Sequence, residues 1–200
     1  MKKSANGRET LYATDGDFCR IFKDDMQSLY LLALVLTAAP EKAEQCFVAG
    51  LDDCASGNKV FKAWARSWAR RVVITNAIRS FAPGLSQETI AQLPNDANIA
   101  ESAAMPDGFH LSPEISALLL LPAKERFAFV MSFCEGYSDH DSALLLGCTR
   151  ETLVAARLRA LEQLKDAAST SNILQAGVVL AAKDGRPNAI ELAQRWATVA

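Results

Sequence analysis

A proline and two glycines divide residues 121–164 into three short runs, and no other stretch limits what this chain can fold into so tightly. Pro122 suits the first turn of a helix, where its missing N–H would be unpaired anyway. Phe127, Val130, Met131 and Cys134 then recur at spacings of three and four until Gly136 ends the run. Ser138 with Asp141 three residues on is a capping-box-like start. Ala143, Leu144 and Leu146 supply an apolar face, and Gly147 closes a helix of about two turns. Thr149 can cap a third helix, with Leu153, Ala156, Ala160 and Leu164 on one side and Leu161 beside them. Two helices joined by a tight glycine turn, the second one basic, have the geometry that reads a DNA major groove. An ordinary bundle of three amphipathic helices is the competing reading.

Ala and Leu abound while aromatic and β-branched alternation is scarce, which implies an all-α protein. Two hundred residues, half of them apolar, can bury a core in each of two small domains. A net charge of −2 and a pI near 5.7 argue against coating nucleic acid nonspecifically, so any DNA contact must be local. Cys19, Cys46, Cys54, Cys134 and Cys148 form no C-x-x-C pair and have no histidine pair nearby. They read as small core residues of a reducing cytoplasm, with neither zinc nor disulfides. His110 and His140 stand apart as surface or boundary residues. The first ten residues lack an apolar core and do not read as a signal peptide, and the apolar run at 29–39 is about half a membrane span. No phosphate loop, carboxylate pair, nucleophile elbow or metal cluster is present, so neither an enzyme nor a cofactor is expected.

Residues 1 to about 16 are polar and read as a loose arm. From Phe18 a helical pattern runs through Ile21, Phe22, Met26, Leu29 and Tyr30 into a segment apolar nearly all round. Pro40 restarts the chain, and Ala43, Phe47 and Leu51 repeat at four up to a turn at Ser56-Gly57-Asn58. In the next run Phe61, Trp64, Trp68 and Val72 form an apolar stripe, which assigns both tryptophans to the core. Lys59, Lys62, Arg66 and Arg70 follow it one residue out of step. Residues 59–79 hold six basic side chains and no acidic one, a local positive field that the overall charge conceals. Residues 82–114 then carry five acidic and no basic side chains among Pro83, Gly84, Pro94, Asn95 and Pro106, which reads as a linker with a short helix at 87–93. Ser112-Pro113-Glu114 starts the helix that leads into the 121–164 stretch. Beyond Leu164 the pattern breaks, and Ile190, Ala193, Trp196 and Ala197 make one apolar edge in a last helix.

Taken in order, Leu121, Pro122, Glu125 and Arg126, then Gly136, Ser138, Asp141, Ala143, Leu146, Gly147, Thr152, Arg159, Ala160 and Leu164, resemble region 4 of the extracytoplasmic-function sigma factors. These are small bacterial transcription initiation subunits. Ser142 departs from an expected isoleucine, and Val154 and Ala156 stand where the family usually has Lys and Arg. Residues 18–79 resemble the family's region 2, with its apolar helix, a Pro-Glu-x-Ala-Glu helix and a Trp-centred basic helix. There Gln45, Val48 and Ala49 replace Asp, Gln and Glu, and Arg71 replaces a frequent Asn. The resemblance implies a region 2-like domain at 17–81, a linker at 82–111 and a region 4-like helix-turn-helix domain at 112–168. The extension at 169–200 lies outside it.

What the resemblance implies in function is a protein that binds core RNA polymerase and promoter DNA, with an anti-sigma factor or another regulatory protein as a further partner and no membrane. The DNA contacts then fall to Arg150, Glu151, Thr152, Val154, Arg157 and Arg159 in the third helix, and to Lys59, Lys62, Arg66, Arg70 and Arg71 in the first half. Arg150, in the first turn, suits a base edge or an adjacent phosphate, Arg157 and Arg159 suit phosphates, and Glu151 could accept from a cytosine amino group. Glu41, Glu44, Gln45 and Val48 become the candidate polymerase surface. The alternative is a sigma-like regulator that acts through protein contacts without reading a promoter, as the replacements at Gln45, Val48, Val154 and Ala156 suggest.

Overall fold

The structure, a computed structural model, describes residues 11–57, 59–81 and 112–170, and among them it is all-α. The first group of helices comprises α1 (Asp15–Asp24), α2 (Met26–Thr37), α3 (Pro40–Ser56) and α4 (Ala65–Phe81). Thr14 and Asp17 form a full capping box at the start of α1. The helical run expected from residue 18 into the apolar segment is broken in two at Asp25, whose N–H still bonds back to Ile21 while its carboxylate takes Arg66 from α4. Pro40 occupies the first turn of α3, as its fixed φ favours. Close packing of α3 depends on Gly50: a Cβ there would meet Val73 Cγ2 at 3.1 Å and Phe22 Cζ at 3.5 Å.

Two expectations for this group are corrected. Residues 11–13 are not a loose arm, because Ala13 N–H donates to Val60 O at 2.7 Å and Lys62 N–H to Leu11 O at 3.0 Å. That pairing holds residues 59–61 extended, so the helix that the Phe61-Trp64-Trp68 stripe predicts begins only with a 3-10 turn at Lys62–Trp64. The face that α4 buries is Ala65, Ala69, Val72, Val73, Ile74 and Ala77.

The second group comprises α5 (Pro113–Leu119), α6 (Ala123–Phe129), α7 (Asp139–Leu146) and α8 (Arg150–Thr170). Pro122 sits just before α6 rather than in its first turn. The run through Cys134 is not one α-helix: after Phe129 it widens into a π turn at Val130–Cys134, and Gly136 with φ +67° ends it. Ser138 Oγ accepts from Asp141 N–H at 3.1 Å, Gly147 closes α7 with φ +60°, and Thr149 Oγ1 accepts from Thr152 N–H at 3.2 Å. Leu153, Ala156 and Ala160 are buried, as their spacing predicts. Residues 82–111 and 171–200, including the helix expected at 87–93, His110 and the apolar edge around Trp196, lie outside the described residues.

The two groups pack on each other. Phe81 at the end of α4 meets Phe127 of α6 edge-on at a centroid distance of 5.7 Å. Arg126 is buried to 3% exposure and donates to Leu36 O of α2 at 3.3 Å, Leu119 O at 3.2 Å and Leu121 O at 2.7 Å. Its guanidinium therefore serves the carbonyl ends of two helices, and burial pulls its pKa from 12.5 to about 10. It remains charged near neutrality.

One buried hydroxyl in α7 has no such use. Ser142 is fully buried and its Oγ finds no hydrogen-bond partner. Ser142→Ala removes an unsatisfied group and adds helix propensity, so it should stabilise the protein by about 1 kcal/mol. A urea midpoint that rises with unchanged slope is the expected reading; a midpoint that falls would mean that the hydroxyl is satisfied in solution.

Candidate nucleic-acid interface

The start of α8 is built for display. Capping by Thr149 fixes the first turn, and Arg150 and Glu151 are exposed there, with Thr152 and Val154 half-buried behind them. The Glu151 carboxylate is held below its usual range by its own backbone N–H first, then by the Thr149 hydroxyl and Arg150. That arrangement keeps Glu151 ionised, so it can act only as an acceptor. His140 is exposed, as expected.

Each arginine of α8 already faces a carboxylate. Arg157, only 14% exposed, donates to Asp139 Oδ1 at 2.5 Å and to Ser132 Oγ at 3.4 Å. Arg150 lies 3.7 Å from the other Asp139 oxygen and is 70% exposed. Arg159 Nε donates to Glu125 Oε1 at 2.9 Å, and Glu125 is buried with its second oxygen unpartnered. Spacing along the helix puts these arginines off its buried face, with Arg150 and Arg159 exposed and Arg157 nearly buried. It could not reveal Asp139 and Glu125, which come from α7 and α6.

The basic stripe of the first group is likewise paired. Lys62 lies 3.6 Å from Asp17, and Arg66 pairs with Asp25. Arg70 donates through Nε to Glu135 Oε2 at 2.8 Å, through Nη2 to the other oxygen, and through Nη1 to Ser28 Oγ at 2.9 Å. Glu135 belongs to the second group and is 3% exposed, so this is a buried bridge between the groups. Among the described residues Lys59 and Arg71 carry no ion pair. Arg71 lies near Tyr137, whose phenol is pushed up by burial with Arg71 opposing.

The core assignment of Trp64 is overturned: its ring is 64% exposed, because the turn before α4 points it away from the packed face, whereas Trp68 is half-buried. Phe61 stacks on Tyr12 at 4.8 Å and meets Trp64 edge-on at 5.3 Å. Three partly exposed rings thus stand in a row, in the stretch of chain that also carries Lys59, Lys62 and Arg66. Tyr12 escaped the sequence reading because only the long-range pairing with residues 60–62 brings it there.

Glu41, Glu44, Gln45 and Val48 are all exposed along α3. Of the five cysteines, Cys46 and Cys54 are buried, Cys134 and Cys148 half-buried and Cys19 exposed, so the core reading holds for the first two and fails for Cys19. Burial raises the Cys54 and Cys134 thiols to about 12, which keeps them protonated and unreactive near neutrality. Among the described residues no group of side chains could hold a metal ion, and no helix is long and apolar enough to cross a membrane.

No family model and no curated protein matches the chain. Among solved structures, it is similar to the sigma factor RpoE in complex with the anti-sigma factor NepR from Bartonella quintana. That likeness covers 78% of this chain and 98% of that one, at 20% identity and a TM-score of 0.44.

Proposed function

We propose that this chain is a sigma-like transcription initiation protein that binds core RNA polymerase and promoter DNA. The observation that carries this reading is the α7–α8 pair, whose Ser138 cap, Gly147 turn and Thr149 cap deliver an exposed Arg150-Glu151 pair at the start of a long helix. The sequence resemblance to sigma regions 2 and 4 agrees with it in order and spacing. In this reading residues 17–81 and 112–168 are two modules, α3 offers Glu41, Glu44, Gln45 and Val48 to polymerase, and the aromatic row beside Lys59 takes unpaired bases. The test is pull-down with core polymerase followed by transcription from bound promoters in vitro. Recovery of polymerase subunits and start-site-specific transcripts is expected; recovery of neither removes the proposal.

A second reading, a regulator that acts by protein contact alone, is favoured by the carboxylates already seated on Arg70, Arg157 and Arg159. It predicts that other proteins, and no polymerase, are recovered in the same pull-down.

A further inference from the structure

Asp139 is the first residue of α7, and its two oxygens face two arginines of α8 that the sequence assigns to DNA. The two contacts differ. Arg157 is nearly buried, held at 2.5 Å and also bonded to Ser132, so its guanidinium is directed into the protein rather than toward an approaching duplex. Arg150 is well exposed and only loosely attracted at 3.7 Å, so a phosphate or base edge can draw it away at little cost. One carboxylate thus removes one cation from the reading helix and leaves the other free to exchange. Asp141, two residues on, is exposed and accepts from the Ser138 hydroxyl and touches no arginine.

We propose that Asp139 sets the selectivity of α8, by withholding Arg157 from phosphates and so keeping sequence-independent affinity low while Arg150 remains available for readout. Phosphate neutralisation by Lys and Arg is what drives nonspecific binding and its salt dependence. A helix with all its arginines extended would bind any duplex more tightly and discriminate less. The inference rests on the proposed DNA-binding function.

The experiment compares the full chain with Asp139→Asn, Asp141→Asn and the double variant Asp139→Asn/Arg157→Gln, on a fluorescent duplex of random sequence across a salt series. Asp139→Asn should bind several-fold more tightly than the unaltered chain, with a slope of log affinity against log salt steeper by about one, the effect of one added phosphate contact. Asp141→Asn changes the net charge equally and should do much less, and Arg157→Gln should cancel the gain. A merely structural role for Asp139 would lower the melting temperature without steepening the slope; should Asp139→Asn fold poorly, Asp139→Ser, which leaves the Ser138 cap in place and likewise removes the carboxylate, takes its place. If the unaltered chain binds duplex and Asp139→Asn matches it, or matches Asp141→Asn, the proposal falls while the DNA-binding reading stands. If neither the chain nor any variant binds duplex, the DNA-binding reading falls and takes the proposal with it.

Discussion

Arg126→Met should lower the stability of the folded chain by about 2–5 kcal/mol, a large share of what a protein this size possesses. Methionine keeps the apolar stem and approximate length but withdraws donors from three carbonyls, at Leu36, Leu119 and Leu121. Hydrogen bonds from a charged group contribute about 1.5–3 kcal/mol each, and a buried acceptor left bare costs about 1–3 kcal/mol. Against this stands the cost of burying the charge itself. The fall in pKa from 12.5 to about 10 corresponds to about 3 kcal/mol, which the methionine variant recovers. The hydrogen bonds win because all three acceptors lie at helix ends or in the α5–α6 connection, where no other donor replaces the guanidinium. Arg126→Lys should recover little, since one ammonium cannot span carbonyls on two helices. Guanidinium denaturation read at two probes, one in each group of helices, is the measurement. A midpoint unchanged by Arg126→Met would mean that the carbonyls are satisfied another way.

Trp64→Ala should do the reverse, leaving stability within about 0.5 kcal/mol while weakening the proposed attachment to single-stranded DNA by about 1–3 kcal/mol, or roughly fivefold to 150-fold. The ring is mostly exposed, so its removal opens no cavity. What it does contribute is a flat face in a row with Phe61 and Tyr12, and stacking on such a face tolerates any base. Tyr12→Ala should have a smaller effect in the same direction. Polarisation of a labelled oligonucleotide at several salt concentrations separates the stacking loss, which keeps the slope, from a loss of cations, which lowers it. A drop in melting temperature with unaltered single-strand affinity would identify the row of rings as a clasp for the N-terminal segment and nothing more.

Local chemistry was legible in the sequence. Pro40, Ser112, Ser138 and Thr149 begin helices, and Gly136 and Gly147 end them, because each satisfies or relaxes backbone groups within a few residues of itself. The buried stripe of α8 followed from spacing for the same reason. What escaped was decided at long range. Phe61, Trp64, Trp68 and Val72 fit one helical face by count, yet the strand-like pairing with residues 11–13 keeps the first of them out of the helix and turns the second outward. The break at Asp25 coincides with its ion pair to Arg66, 41 residues later. The basic side chains of α4 and α8 lie off the buried faces of their helices, but the carboxylates opposite them sit up to 65 residues away, and no periodicity reports such a partner.

The π turn at Val130–Cys134 acts as an angular spacer. An α-helix advances about 100° per residue, and a π turn accommodates one residue more than an α turn over nearly the same rotation. The residue that follows the turn is therefore offset by about a quarter turn from where an uninterrupted α6 would put it. Glu135 is the first residue after that offset, and it is the one that grips Arg70 across the two groups of helices. Deleting a single residue from the turn should restore α geometry and swing Glu135 off Arg70, which the loss of the ion pair between the two groups of helices would register. The ion pair that joins α4 to the second group of helices thus depends on one extra residue in the turn that precedes Glu135.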